Sequence, residues 1–329
     1  MDTKEIKLPE YISKEKFNIK WEEVVGQEKV KETLKKLIID PINSKKQFDN
    51  KQKPLKGILL YGPPGVGKTY LAKAIANEFK GKFFTVYGPT IVSKWNVQTK
   101  TERIIKDLFD YAKKNKPAII CLDEIDFITK TNNDNENMND TTRKLKQEFL
   151  KQMHELDNED EILVLGIAAY PWELDSTVRK CFQKKIYITL PELNARKILL
   201  ELNLKNTYNN ITNEQIEYIA KNTEFFSCSD IIRLIQDVIY ESTKKCFKAE
   251  YFKKIKGING LEWNYTPCEQ NEPEAIKMKI EDITDKNSIL PPKINFEDFE
   301  KGIHTVKPSL NIQDLKNYEK FIEELSQEE

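Results

Sequence analysis

The sequence lacks any apolar run long enough to cross a membrane. Its apolar stretches end after about ten residues, as in ILVLGIAAY at 162–170, whereas a spanning helix needs about 20. The amino-terminal stretch MDTKEIKLPEYISKEKF is predominantly polar and carries no secretory signal. These absences predict a cytoplasmic protein rather than a secreted or membrane-spanning one.

Net charge is also lacking, because 53 basic and 53 acidic side chains cancel. This balance gives no reason to expect nucleic acid or an anionic membrane as a partner. The five cysteines have no metal-binding spacing and the two histidines are isolated, so reduced thiols are predicted and no metal role is assigned to them. The length of 329 residues predicts about two domains with ample core.

A glycine-rich segment, KGILLYGPPGVGKT at 56–69, joins a short apolar strand to a helix with apolar residues at helical spacing. This context predicts a phosphate-binding loop of the form G-x-x-x-x-G-K-T. Its backbone N–H groups and the helix N-terminus would hold an anion. Lys68 would reach the β- and γ-phosphates and Thr69 would ligate Mg²⁺. The predicted nucleotide-binding residues are Gly62, Pro63, Pro64, Gly65, Val66, Gly67, Lys68, Thr69, Tyr70 and Asp123.

A second apolar strand, IICLDE at 119–124, ends in two adjacent acids. In an enzyme with a phosphate loop, the first acid lies beside Mg²⁺, so Asp123 is assigned to the metal with Thr69. Glu124 projects differently and is assigned as the general base that polarises the attacking water. The sequence therefore predicts a site for ATP and Mg²⁺ with Glu124 as a catalytic residue.

Strands and helices alternate after the phosphate loop, which predicts an α/β fold with a parallel sheet covered on both faces. Strands are expected at 83–87, 118–122, 162–167 and 185–188, helices at 101–113 and 141–154, and a mobile turn-forming segment at 131–140. After residue 190 the pattern becomes helical, with capping boxes at Thr212–Gln215 and Ser227–Asp230. The predicted domains are a flexible tail at 1–16, a large subdomain at 17–190, a smaller helical subdomain at 191–310, and a C-terminal helix at 311–329. The smaller subdomain is expected to carry a β insertion near 251–290, with a strand at 275–280.

The phosphate loop, the acidic box DEID at 123–126 and their spacing resemble AAA ATPases of the meiotic clade, which contains katanin, spastin and the ESCRT ATPases. Within that clade the sequence is most similar to the ESCRT ATPases, which disassemble ESCRT-III filaments. The resemblance covers roughly residues 17–329. It rests on WEEVVGQ, SKW, ILVLGIAAYPWELDSTVRKCF, KKIYITLPE, YFKKIKG, TPCEQNEPEAIKMK and the C-terminal VKPSLNIQDLKNYEKFIEELSQEE.

This resemblance implies a ring, either a homo-hexamer or a mixed ring, with ATP bound between subunits. It implies that ESCRT-III subunits are pulled through the central pore, gripped by a first pore loop containing Lys94 and Trp95. It also implies recruitment to endosomal or other remodelling membranes. The WEEVVGQ turn at 21–27 would contact the adenine side, and the C-terminal helix would pack on the large subdomain through Leu315, Tyr318 and Phe321.

The sequence departs from the family pattern around the γ-phosphate. The polar residue that normally follows the strand at 162–167 is replaced by Ala169. The consecutive arginines that act as fingers for the neighbouring subunit are replaced by Arg179, Lys180 and Cys181, and lysine lacks the bidentate fork of arginine. Arg179 is assigned as the remaining finger, and Arg143 is an alternative. These losses indicate slow hydrolysis.

Two further departures concern substrate. Val97 replaces a family glycine after Trp95, and the short stretch before Phe17 does not encode the three-helix module that grips substrate in the family.

Trp95 can alternatively be read as a buried aromatic, and Arg179 as a solvated charge at a helix end. Alternative functions are therefore a hydrolysis-deficient scaffold or regulatory ring subunit, or a katanin-like microtubule-severing enzyme, which the β insertion argues against.

Overall fold

The computed structural model describes residues 17–43, 55–88, 101–128, 136–157, 161–257 and 261–328. The chain divides into two compact units. Unit 1 combines the residues up to Leu190 with those from Asn311 onward, and unit 2 is the intervening segment Pro191–Leu310. Among the described helices, none is both long and apolar enough to cross a membrane.

Unit 1 is built on a five-stranded parallel sheet with the order β2-β3-β4-β1-β5. Every residue of β1 and β3 is buried, as is usual for strands covered on both faces. Alternate β1 residues enter two different cores, with Leu59 in one and Ile58 in the other. The predicted parallel sheet is confirmed. Its strands are β1 Gly57–Tyr61, β2 Lys82–Tyr87, β3 Ala118–Asp123, β4 Ile162–Ala168 and β5 Lys184–Tyr187.

Helices cover this sheet and differ from the prediction at one boundary. The helix expected from residue 141 begins at Glu136, so part of the predicted turn-forming segment is helical. Acidic and amide side chains suit the first turns of a helix as well as loops. The composition of the predicted turn-forming segment therefore did not distinguish helix from loop. The helices are α1 Glu28–Leu34, α2 Asp40–Asn43, α3 Lys68–Glu78, α4 Thr101–Lys114, α5 Glu136–Glu155 and α6 Ser176–Lys180, with a π-helical segment Lys35–Ile39 joining α1 to α2.

Unit 2 contains a helical bundle and a small antiparallel sheet with the order β7-β6-β8. Both predicted capping boxes are present, at Thr212–Gln215 and Ser227–Asp230. The strand expected at 275–280 is shorter, because a 3-10 helix begins at Ile280. The elements are α7 Leu193–Leu204, α8 Asn213–Lys221, α9 Cys228–Lys248, β6 Tyr251–Lys256, β7 Trp263–Pro267, β8 Ile276–Lys277 and α10 Phe296–Thr305.

The last helix, α11 Ile312–Glu328, belongs to unit 1. Tyr318 and Phe321 are each 1% exposed, and Leu315 is half-buried. The Phe321 ring packs edge-on against Tyr61 of β1, with 5.4 Å between ring centres. The helix thus closes one of the two cores of unit 1 with aromatic side chains.

Candidate functional site

The phosphate loop connects the end of β1 to the start of α3, and its glycines are required by its shape. Gly62 has φ +149°, and an added Cβ would lie 2.2 Å from the carbonyl oxygen of Ile188. Gly67 has φ +93° and directly precedes α3, a conformation that side chains disfavour. The strand therefore turns sharply and presents the N-terminus of α3, which favours anions. The remaining predicted loop residues, Pro63, Pro64, Gly65 and Val66, lie between these two glycines.

Lys68 lies at the first position of α3 and is only 8% exposed. Its Nζ donates to the carbonyl oxygens of Gly62 and Pro63, both at 2.7 Å. Burial lowers the pKa of this ammonium group from 10.5 to about 8, partly opposed by the carboxylates of Asp126, Asp123 and Glu124. A buried cation whose Nζ donates to carbonyl oxygens of its own loop is well suited to receive an anion.

Thr69 in the first turn of α3 and Asp123 at the end of β3 are in contact. The Thr69 hydroxyl donates to Asp123 Oδ2 at 2.9 Å, and the backbone N–H of Glu124 donates to Oδ1 of the same carboxylate at 3.1 Å. A hydroxyl and a buried carboxylate are oxygen ligands of the kind that Mg²⁺ prefers. The pair predicted to hold Mg²⁺ is thus already assembled, beside the cation that would hold the phosphates.

The carboxylate of Glu124 contacts a residue that the sequence did not single out. Tyr87, at the end of β2, pairs with Asp123 in the sheet register, and its hydroxyl donates to Glu124 Oε1 at 3.2 Å. Partial burial and this carboxylate raise the pKa of Tyr87. Glu124 itself has φ +54°, in the left-handed region. The sequence signal available was only a tyrosine at the end of the strand that precedes β3 in the chain.

The turn at 21–27 lies against the start of α3. Tyr70, 41% exposed, has a pKa raised by burial and by the neighbouring Glu23 carboxylate. Gln27 has φ +59°, and its side-chain amide donates to the carbonyl oxygen of Thr189 at 2.9 Å. The turn is therefore fixed to the chain just after β5, at the same end of the sheet as the phosphate loop.

Ala169 directly follows β4, and no polar side chain is present at this position. Its carbonyl oxygen accepts a hydrogen bond from the Tyr318 hydroxyl of α11 at 2.5 Å. Sequence reasoning assigned Tyr318 to packing only. Its hydroxyl contact depends on the return of α11 to unit 1, and no local pattern predicts which carbonyl a distant tyrosine reaches.

The three residues at the altered arginine positions have different environments. The Arg179 guanidinium lies over the Phe321 ring, 5.4 Å from its centre, and Arg179 Nε is buried without a hydrogen-bond partner among the described residues. Lys180 is exposed and Cys181 is half-buried. Burial raises the pKa of the Cys181 thiol, so it remains neutral. Arg143 is exposed on α5.

Lys180 and Cys181 line a cavity of about 520 Å³, together with Lys56, Leu150, Met153, His154, Thr177 and Gln183.

The pore-loop residues Lys94 and Trp95, with Val97, lie outside the residues that the structure describes, as does the tail at 1–16. The site brought together in unit 1 therefore consists of the phosphate loop, the acidic pair, Tyr87 and the segment after β4.

Two regions of the chain match known protein families. Residues 58–190 match the ATPase family associated with various cellular activities, AAA. Residues 265–325 match the Vps4 C terminal oligomerisation domain. The first match contains the whole phosphate loop and the acidic pair, and the second contains the end of β7 and most of α11.

Similar proteins extend over nearly the whole chain. Vacuolar protein sorting-associated protein 4B of Mus musculus is 39% identical over 323 residues, which is 95% of this chain and 71% of the relative. Vacuolar protein sorting-associated protein 4 of Dictyostelium discoideum is 38% identical over 319 residues, 95% of this chain and 71% of the relative. The solved FIGL-1 AAA domain superposes with a TM-score of 0.75 at 28% identity, covering 96% of this chain and 92% of its own. A structure from a study of katanin self-assembly superposes with a TM-score of 0.69 at 27% identity, covering 93% of this chain and 92% of its own.

Proposed function

The chain belongs to the Vps4 family of AAA ATPases, and from this membership we propose that it disassembles ESCRT-III filaments with the energy of ATP hydrolysis. ATPase activity and nucleotide binding follow from the family itself. The proposal extends to ATP with Mg²⁺ as the bound form and to ESCRT-III-like proteins as the substrate. The observation that carries it is the junction of buried Lys68 with the Thr69–Asp123 pair, in a chain similar to Vps4 over 95% of its length.

We assign the residues of the site as follows. Lys68 and the loop from Gly62 to Gly67 hold the phosphates, and Thr69 with Asp123 holds Mg²⁺, which when bound neutralises charge that develops on the phosphates. Glu124 accepts a proton from the attacking water. The Asp123 carboxylate accepts from Thr69, whereas the Glu124 carboxylate accepts from Tyr87, so we assign the two adjacent acids different roles.

A ring is the assembly that the proposal requires. The Vps4 oligomerisation domain and the AAA fold support an oligomeric ring. We infer a hexamer, either homomeric or mixed, in which Arg179, or alternatively Arg143, acts on the nucleotide of the neighbouring subunit. Lys94 and Trp95 would grip an extended substrate in the pore. The protein would act in the cytoplasm at endosomal or other remodelling membranes, and would reach them through its partners.

A second candidate function is supported by the segment after β4 and by the end of α6. Ala169 has no polar side chain, Cys181 carries a neutral thiol, and Arg179 is engaged with Phe321. A ring subunit with these residues could bind ATP tightly and hydrolyse it poorly, acting as a scaffold or as a regulatory subunit in a mixed ring. A third candidate, microtubule severing, is supported only by the folds shared with FIGL-1 and katanin.

Steady-state ATP hydrolysis, measured across protein concentration, tests the proposal. A motor whose site is completed by a neighbour shows a rate per subunit that rises with concentration to a plateau. Lys68→Ala abolishes ATP binding, and Glu124→Gln retains binding without turnover. A parent chain that binds ATP with no turnover at any concentration favours the scaffold.

Sedimentation assays then identify the substrate. Pre-formed ESCRT-III filaments and microtubules are incubated separately with the parent and ATP–Mg²⁺, with Glu124→Gln as the matched control. Release of ESCRT-III subunits to the supernatant by the parent alone supports the proposal. Release of tubulin with intact ESCRT-III filaments contradicts it and favours severing.

A further inference from the structure

The hydroxyl of Tyr318 reaches the position where this chain lacks a polar side chain. Residue 169 is alanine, and its carbonyl oxygen accepts the Tyr318 hydrogen bond. Tyr318 comes from α11, 149 residues further along the chain, yet both residues lie in unit 1. A group from the last helix of the chain thus fixes the peptide that follows β4.

This peptide lies beside the phosphate loop. Ala168 at the end of β4 pairs with Tyr61 at the end of β1, and Gly62 of the loop follows directly. The electrostatic environment agrees with this proximity. The Asp126 carboxylate acts on the buried Lys68 ammonium and also contributes, after burial and other nearby groups, to the raised pKa of Tyr318.

The Tyr318 ring is held firmly enough to aim its hydroxyl. The residue is 1% exposed, and its ring contacts Trp172 with 4.9 Å between centres and Tyr187 with 5.8 Å. Aromatic pairs at these separations are stabilising. The Tyr318 hydroxyl donates its hydrogen bond to the Ala169 carbonyl oxygen. The phenol oxygen retains lone pairs that can accept a further hydrogen bond.

We propose that Tyr318 is a positioning residue for ATP hydrolysis, supplying from α11 the polar group that alanine at 169 cannot provide. The inference rests on the proposed ATPase function. Through the Ala169 carbonyl the hydroxyl fixes the segment after β4, which starts beside the strand end that leads into the phosphate loop. Hydrolysis then depends on α11 being docked, since the same helix that closes the core also completes the site.

The test compares hydroxyl deletions within one aromatic cluster. Tyr318→Phe keeps the ring and removes only the hydroxyl. Tyr187→Phe is the matched control, because its ring packs on Tyr318 and its own hydroxyl donates no hydrogen bond to any described residue. Each purified variant of the 329-residue chain is assayed for kcat and KM at saturating Mg²⁺, at a protein concentration on the plateau of the parent rate. Melting temperature and sedimentation with ATP are measured in parallel.

We expect Tyr318→Phe to lower kcat about tenfold or more, because a positioned hydrogen bond acting at the transition state is worth about 10² to 10³ and this one acts indirectly. KM, melting temperature and assembly should stay near the parent values, and Tyr187→Phe should match the parent throughout. Ala169→Asn should restore most of the lost kcat in the Tyr318→Phe background, a larger gain than the same substitution gives in the parent. Such non-additivity identifies two groups with one role.

Three results overturn the inference. One is an unchanged kcat in Tyr318→Phe while the parent turns over ATP. Another is a kcat loss accompanied by loss of assembly or by a lower melting temperature, which assigns the hydroxyl to structure. The third is a kcat loss that Ala169→Asn does not restore. A parent without turnover instead refutes the proposed function, and the inference with it.

Discussion

The depressed pKa of Lys68 predicts how ATP affinity changes with pH. The phosphates bind the ammonium form, and burial lowers its pKa to about 8. Bound phosphate restores a higher pKa, so binding must take up a proton once the free site is deprotonated. With the free group at about 8, Kd should change little up to pH 7.5, roughly double by pH 8 and be about tenfold weaker at pH 9 than at pH 7.

Fluorescent-nucleotide titration of the nucleotide-free protein between pH 7 and 9.5 measures this dependence. The γ-phosphate of free ATP is already ionised over most of that range, and the raised pKa values of Tyr70 and Tyr87 lie above it. Lys68→Arg is the matched control, because a guanidinium stays charged throughout, so its Kd should be flat whatever its absolute value. Calorimetry in two buffers should show proton uptake by the parent at pH 8.5. A flat Kd for the parent would refute the assignment of Lys68 as a buried, partly deprotonated cation.

The remaining predictions concern assembly, translocation and rate. Glu124→Gln with saturating ATP–Mg²⁺ should sediment as an oligomer, because the nucleotide persists, and a strict monomer would count against a ring. Trp95→Ala should bind ATP with the parent affinity yet fail to release ESCRT-III subunits, so undiminished release would remove the pore-loop assignment. Combining Ala169→Asn with Lys180→Arg and Cys181→Arg should raise kcat at least about tenfold, mainly through the restored guanidinium groups. No gain in a single-turnover assay would show that the altered residues do not limit hydrolysis.

Much of unit 1 could be predicted because its signals are local. A buried strand, a glycine loop and a helix are contiguous, so the position of Lys68 follows from the sequence alone. The capping box at Thr212 is equally local, since donor and acceptor are three residues apart. The predicted start of α5 was wrong because acidic and amide residues suit helix N-termini and turns alike.

The contacts that were missed are all long-range. Tyr87 reaches Glu124 because β2 and β3 are neighbours in the sheet. The sequence of neither strand specifies that order. The placement of Arg179 against Phe321 and of Tyr318 against Ala169 requires α11, which follows unit 2 in the sequence, to pack within unit 1. Periodicity identified the buried face of α11, but a stripe of apolar residues does not specify its partner.

The return of α11 has a consequence for how the protein is made. Unit 2, Pro191–Leu310, is synthesised completely before residues 311–328 leave the ribosome. Until then the aromatic face formed by Tyr61, Tyr187 and Trp172 has no cover from Tyr318 or Phe321. Domains generally fold during synthesis from the N-terminus, but the earliest unit of this chain is completed last. A nascent chain arrested at residue 310 would therefore leave this aromatic face without its cover from α11.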